Sequence, residues 1–275
     1  MSPPTVSKPL SVMLGAIALT GAAWGTVYFW TRVAMDWTGP RLALGIAVTI
    51  GYGLVGALAL RGEARPWATS IGLRPFPPRG LLSIVLLVPG VLLAMEVQAL
   101  VRLTFGRAGG VGIFEWIRGL ITGASGPSLL GSIFLFVVLL PAVSEWFFRG
   151  VLQHGLVVRL GATRGVVLTS VLYALAVAGI RSPVGSWVAV LIATFGLGLL
   201  LGAVRITSGS VVAAALLHGG FNLVGVVGWR ISQSTPIPSF TAPGSSLPVA
   251  ILVPAMLSVA AGSILLWRDR KRLSG

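Results

Sequence analysis

The sequence predicts an all-α integral membrane protein, a polytopic transmembrane helix bundle of about eight spans. Of its 275 residues 55% are hydrophobic and only 9% are charged, and the mean hydropathy is +0.95. Soluble domains usually carry about 25% charged residues. A chain this apolar cannot bury its side chains inside a water-soluble globule of the same length. Because lipid offers the backbone no hydrogen-bond partner, each span is expected to be a helix.

The few charges point to the same environment. The chain has 20 Lys and Arg against 6 Asp and Glu, a formal net charge of +14. A soluble nucleic-acid-binding protein can carry such an excess, but here the cations lie in short gaps between apolar runs. That pattern favours contact with anionic lipid headgroups, so the lipid bilayer is the expected partner and no nucleic acid is expected. The absence of cysteine excludes disulfides, thiolate metal sites and thiol catalysis.

Eight apolar segments are long enough, or nearly so, to cross about 30 Å of hydrocarbon as helices. They cover residues 9–30, 41–60, 80–101, 129–148, 165–180, 184–203, 208–227 and 247–267. The fifth is the shortest. In the sixth, Gly198 and Gly202 form a small-xxx-small face that suits close packing of helices.

The connections between spans leave no room for a soluble domain, so residues 1–275 are predicted to form a single integral-membrane domain. The longest connections, residues 102–128 and 228–246, are rich in Gly, Ser and Pro, and residues 112–121 are expected to lie along the bilayer surface. With eight spans, 13 of the 20 cations fall on the side of both termini and seven on the other. The positive-inside rule therefore predicts a multi-pass protein with both termini cytoplasmic.

Two pairs of polar residues stand inside the predicted spans. Glu145 and Arg149 are four residues apart, so they share one helical face and lie within reach of an ion pair. His218 and Asn222 repeat that spacing in the seventh span. A charge inside the bilayer costs several kcal/mol unless it is paired or hydrated. Taken singly, each pair fits either a structural role in helix packing or a functional site.

The two pairs together resemble the motifs of one family, the CAAX prenyl-protease and bacteriocin-processing membrane proteins, called CPBP or Abi. The first family motif reads E-E-x-x-F-R-G, and residues 144–150 read S-E-W-F-F-R-G. A later family motif, H-x-x-x-N, is matched by His218 and Asn222, and the glycines and turn before it are also similar. The resemblance covers about residues 125–227. It implies an intramembrane protease core with Glu145, Arg149, His218 and Asn222 in the catalytic site.

Two positions depart from the family pattern. The first glutamate, believed to activate the attacking water, is replaced by Ser144, and the histidine of an F-x-x-x-H motif is replaced by Val177. Peptide hydrolysis needs a base near the nucleophile and a donor or cation at the oxyanion, each typically worth two to four orders of magnitude. Neither Ser144 nor Val177 supplies these, so the resemblance implies a degraded site. Glu145 and His218 are fewer than the three ligands of a usual catalytic zinc site, so no metal is predicted, and cofactor use stays unknown.

A serine nucleophile is an alternative to a water activated by a glutamate. Ser144 would need His218 as its base, but no acid that orients the imidazole is evident in the sequence, and the turn typical of serine hydrolases is absent. This alternative is therefore disfavoured.

Two further polar residues, Glu96 and His154, are not expected to take part in catalysis. Glu96 in the third span is expected to pair with Gln98, Arg102 or a water near a helix end, although it could point into the bundle. His154 fits no family position and is expected to face the headgroups.

Two functions remain open on the sequence. The first is a non-catalytic member of the CAAX protease-like fold that binds or scaffolds another membrane protein or a prenylated or signal-like peptide. The second is an active intramembrane endopeptidase with an altered Glu/His site. Transport is disfavoured because the spans show no clear inverted repeat.

Overall fold

A computed structural model describes residues 8–61, 66–105, 121, 126–178, 184–239 and 245–273. Within these ranges the chain is almost entirely helical and has no β-strand. Seven of the described helices are long and apolar enough to cross a membrane. The predicted all-α, polytopic membrane bundle is confirmed.

The described residues form nine helices. In chain order they are α1 (Lys8–Thr38), α2 (Pro40–Ala59), α3 (Trp67–Ser70), α4 (Pro78–Thr104), α5 (Gly126–Leu160), α6 (Ala162–Ala178), α7 (Val184–Ser208), α8 (Val211–Ser232) and α9 (Val249–Leu273). All except α3 and α6 are of membrane-spanning length. The predicted fifth span is α6, which has 17 residues.

The predicted end of the fourth span was wrong, because the helix in the structure is longer. It was expected to end at residue 148, but α5 continues to Leu160, so Glu145 lies well inside the helix. Residues 149–160 contain no proline, and the helix ends only at Gly161, whose φ of 86° lies in the left-handed region that glycine adopts readily. The predicted surface segment 112–121 lies outside the described residues except for Ile121. The orientation of the termini stays a prediction.

Three wide, π-helical turns interrupt the α-helical pattern where the helices meet. One lies in α2 (Thr49–Leu54), and two lie in α5, at Phe134–Leu139 and Trp146–Leu152. Such turns insert an extra residue, change the direction of neighbouring side chains and often occur at functional sites. Both turns of α5 carry groups of the site described below.

Helices α5 and α7 are joined by two parallel hydrogen bonds. Arg149 donates through Nη2 to the carbonyl of Gly198 at 3.0 Å, and Gln153 donates through Nε2 to the carbonyl of Gly202 at 3.1 Å. The second bond lies four residues further along both helices than the first, so α5 and α7 run in the same direction. A Cβ atom at Gly202 would lie 2.8 Å from Val166 of α6. The small-residue face predicted from sequence therefore packs α7 against α5 and α6.

The start of α8 is held by the segment before α4. Arg74 donates through Nε to the carbonyl of Gly209 at 3.0 Å, and Arg205 donates through Nη2 to the carbonyl of Ile71 at 2.9 Å. The Val211 N–H donates to the carbonyl of Gly72 at 3.0 Å. These bonds fix the first turn of α8, two turns before His218.

Candidate functional site between helices α5 and α8

The centre of the site is the Glu145 carboxylate, which bridges two helices. Its Oε1 lies 2.8 Å from His218 Nδ1 of α8 and accepts a hydrogen bond from Arg149 Nη1 of α5 at 3.3 Å. Its Oε2 lies 3.1 Å from Arg149 Nε, close enough for an ion pair but without hydrogen-bond alignment. Glu145 and Arg149 are both 0% exposed. The sequence therefore predicted correctly that these two helices bring an ion pair and an imidazole together.

Arg149 is enclosed on every side. Besides Glu145 and the Gly198 carbonyl, it faces the ring of Tyr173, with Cζ 4.4 Å from the ring centroid. Guanidinium groups stack favourably on aromatic faces, most strongly when water is absent. Arg149 thus connects α5 with α6 and α7, while Glu145 connects α5 with α8 through His218.

Asn222 fastens α8 to the first wide turn of α5. Its Nδ2 donates to the carbonyl of Phe136, which lies in the π-helical turn Phe134–Leu139, at 2.7 Å. A Cβ at Gly219 would lie 2.5 Å from the carbonyl oxygen of Val137 in the same turn, so only glycine permits this approach. His218 and Asn222 are consequently presented from a helix that touches α5 backbone to backbone.

A cavity of about 240 Å³ opens beside these residues; we call it the central cavity. That is well above the roughly 10–15 Å³ that a single water molecule needs. It is enclosed by α1, α2, α5, α6, α7 and α8. Its walls are formed by Val27, Leu44, Val48, Tyr52, Leu140, Ser144, Phe148, Tyr173, Val177, Thr194, Leu197, His218, Phe221 and Asn222.

The two positions that depart from the family pattern both face this cavity. Ser144 and Val177 line it together with His218 and Asn222, whereas Glu145 lies behind His218 and does not line it. The Ser144 hydroxyl donates to the carbonyl of Leu140 in its own helix at 2.7 Å. No carboxylate is among the described residues that line the cavity.

The hydrogen bond to Glu145 determines how His218 meets the cavity. A carboxylate paired with Arg149 can only accept hydrogen bonds, so we assign the proton to Nδ1, which donates to Glu145. In the neutral ring Nε2 is then an acceptor, and it has no hydrogen-bond partner in the described part of the chain. The expectation that nothing orients His218 was wrong, because Glu145, placed on the motif helix, performs that role.

Two tyrosines complete the site and were missed as site residues. Tyr52 of α2 and Tyr173 of α6 line the cavity, are 9% and 5% exposed, and have no hydrogen bond from their hydroxyls to described residues. Their rings pack on Phe148 at centroid distances of 5.4 and 5.3 Å. For Tyr52 the only sequence signal was a tyrosine inside an apolar span, which is weak, whereas Tyr173 stands at the first position of the F-x-x-x-H motif whose histidine is replaced by Val177.

Glu96 and His154 lie away from the central cavity. Glu96 accepts hydrogen bonds from the Ser239 hydroxyl at 2.6 Å and the Leu247 N–H at 2.9 Å. The structural interpretation of Glu96 holds, but its partners are in the connection between α8 and α9. The sequence could not reveal this because the connection is distant along the chain. His154 lines a different cavity near the end of α5.

Comparison with known protein families agrees with this geometry. A family model described as "Type II CAAX prenyl endopeptidase Rce1-like" matches residues 126–224. Residues 126–224 are therefore similar to an Rce1-like domain. The matched residues run from the start of α5 into α8 and contain Glu145, Arg149, His218 and Asn222. The resemblance seen in the sequence is confirmed. Neither the curated proteins nor the solved structures contain a match to the chain.

Outside the matched residues, α1 and α2 contribute the remaining walls of the central cavity, through Val27, Leu44, Val48 and Tyr52. Within the described ranges, no three His, Asp or Glu side chains come together. The arrangement can bind the apolar part of a ligand along its walls and hydrogen-bond a polar end of the same ligand at His218, Asn222 and the two tyrosine hydroxyls.

Proposed function

We propose that this chain is a non-catalytic CAAX protease-like membrane protein that binds a prenylated or similarly apolar peptide in the central cavity. The observation that carries the proposal is that the described cavity wall has Ser144 and Val177 where the family pattern has a glutamate and a histidine, and contains no carboxylate. The Ser144 hydroxyl is also engaged with the carbonyl of its own helix. A peptide bond in this cavity would meet acceptors and donors but no carboxylate base.

The composition of the wall supports an apolar ligand with a polar end. Most lining side chains are aliphatic or aromatic, and the polar groups are few, as is usual for sites that bind small apolar molecules. Glu145 and Arg149 lie outside the wall, so their role in this proposal is to position His218 and hold α5, α7 and α8 together.

The binding test uses the full chain in detergent and a fluorescent farnesylated peptide. Val177→Phe places a larger side chain in the cavity and is expected to weaken binding by tenfold or more, because a ring fills space that the ligand needs. Val171→Phe is the matched control: it lies on the same helix but is exposed and does not line the cavity. If the two variants bind the peptide with equal affinity, the peptide does not bind in the central cavity.

A second function is favoured by one contact. The 2.8 Å bond between Glu145 and His218 Nδ1 leaves Nε2 as a base oriented by a carboxylate, a combination that can activate a water molecule. An altered-site endopeptidase built on it would cleave a quenched prenylated peptide. Its cleavage would be lost in His218→Ala and reduced at least 100-fold in Glu145→Gln. If wild-type protein binds the peptide but does not cleave it, the result supports the non-catalytic function.

A further inference from the structure

A second cavity, of about 370 Å³, lies between α1, α2 and α5, and we call it the terminal groove. Its walls are mainly apolar, and its polar or charged side chains are Ser11, His154 and Arg159. No acidic residue is among the described residues that line it. The apolar part of the wall is formed by Val12, Ala16, Leu19, Ala59, Leu60, Val151, Leu152 and Leu156.

The terminal groove lies at one end of the bundle. The same three helices line the central cavity further in, at Val27 of α1, Val48 of α2 and Phe148 of α5. The groove itself is lined by the first turns of α1 and by the last turns of α2 and α5. Along α5, Phe148 and Gly155 are about 10 Å apart at 1.5 Å per residue. The groove is therefore level with the ends of three spans, where a bilayer changes from acyl chains to headgroups.

The rim of the groove is basic. Arg159 is exposed and donates through Nη1 to the carbonyl of Gly155 at 3.1 Å, while its Nε and Nη2 make no hydrogen bond to any described residue. Arg61, also exposed, follows directly after the lining residue Leu60. The cation count of the sequence predicts this end of the bundle to be the cytoplasmic one, and anionic lipids are enriched in that leaflet.

We propose that the terminal groove binds an anionic phospholipid, with an acyl chain between α1 and α5 and the phosphate on Arg159. The apolar walls alone would suit any lipid tail, and the basic rim alone would suit any anion. Only an anionic amphiphile uses both. Basic pockets between membrane helices on the cytoplasmic side are known sites for such headgroups. This site is separate from the central cavity and does not depend on its function.

The experiment follows thermal unfolding of the purified full chain in detergent as lipid is added. Phosphatidylglycerol supplies a tail and a net negative charge, phosphatidylcholine supplies a tail without net charge, and inorganic phosphate supplies the anion alone. Because a ligand that binds the folded state raises the melting temperature more at the same concentration when its affinity is higher, the three titrations rank the ligands. We expect the phosphatidylglycerol shift to exceed the phosphatidylcholine shift and phosphate to give none.

Two variants test the two halves of the groove. Arg159→Gln removes the headgroup contact and is expected to lower the affinity for phosphatidylglycerol about fivefold, which corresponds to the roughly 1 kcal/mol of one cation near a membrane surface. Gly15 also lines the groove, so Gly15→Leu fills its apolar half and is expected to remove the phosphatidylglycerol shift. A Cβ at Gly15 would meet no atom within 4 Å, so this variant should fold.

Matched controls separate the groove from general effects of charge and bulk. Arg164→Gln removes an exposed cation just beyond α5, and Gly21→Leu adds an exposed leucine to α1 at another position with open space. Both controls should keep the wild-type response, and Arg159→Lys should keep most of it. The proposal is overturned if Arg159→Gln and Arg164→Gln lose affinity equally, if Gly15→Leu responds like Gly21→Leu, or if phosphate alone reproduces the shift.

Discussion

The buried ion pair makes the strongest stability prediction. Arg149→Met should destabilise the protein by about 3–5 kcal/mol, the usual cost of removing one partner from a buried pair and leaving the other charge uncompensated. Glu145 and Arg149 are both 0% exposed, so water cannot take the place of the missing guanidinium. The variant also loses the hydrogen bond to the Gly198 carbonyl and the contact with the Tyr173 ring.

The assay is equilibrium unfolding with sodium dodecyl sulfate in mixed micelles, followed by far-ultraviolet circular dichroism. Arg164→Met is the matched control, because Arg164 is exposed, and it should change the unfolding free energy by no more than about 0.5 kcal/mol. Adding Glu145→Gln to Arg149→Met should recover part of the loss, because no unpaired charge remains. The expected interaction between the two substitutions is about 0.5–3 kcal/mol.

Two results would refute this reasoning. If Arg149→Met unfolds like Arg164→Met, the pair contributes nothing to the fold. If the effects of Glu145→Gln and Arg149→Met simply add, the cost arises from lost packing or from the bond to Gly198 and not from a stranded carboxylate.

Three further predictions concern the helices around the site. Asn222→Leu should lower the free energy of unfolding by about 1–3 kcal/mol in the same assay, because the Phe136 carbonyl loses the donor that lies 2.7 Å away. A decrease below about 0.5 kcal/mol would show that the Asn222 hydrogen bond does not hold α8 against α5. Gly202→Val should cost about 1–3 kcal/mol because its side chain would collide with Val166, whereas Gly196→Val, which meets no atom within 4 Å, should be nearly neutral. Glu96→Ala should speed proteolytic cleavage between α8 and α9, because Ser239 and Leu247 lose their acceptor; unchanged cleavage would mean that Glu96 does not anchor this connection.

The fold class could be predicted from local signals, whereas the convergence of the two polar pairs was implied by the resemblance of their motifs to one family. Apolar runs of spanning length need only composition, and a spacing of four residues puts Glu145 with Arg149, and His218 with Asn222, on single helical faces. The rarity of charge inside a bilayer then restricts which partners are available. Only the resemblance implied that Glu145 lies near the histidine helix, because neither spacing nor charge identifies which two helices meet.

Other features depend on contacts that no local pattern reports. The predicted span stopped just before Arg149, whereas α5 continues through Arg149 and Gln153, which are both buried and donate to carbonyls of α7. The wide turns of α5 left no sequence signal, although one of them supplies the carbonyl that receives Asn222. The partners of Glu96 lie more than 140 residues away along the chain.

The central claim is that Ser144 and Val177 leave a cavity that binds a peptide without cleaving it. Mass spectrometry of a farnesylated peptide incubated with purified wild-type protein and with the Ser144→Glu/Val177→His variant tests this most directly. We expect no cleavage by wild-type protein and cleavage by the variant, lost again when His218→Ala is added, because each restored group can contribute about 100-fold or more. Cleavage by the wild-type protein that depends on His218 and is not increased in the variant would contradict it.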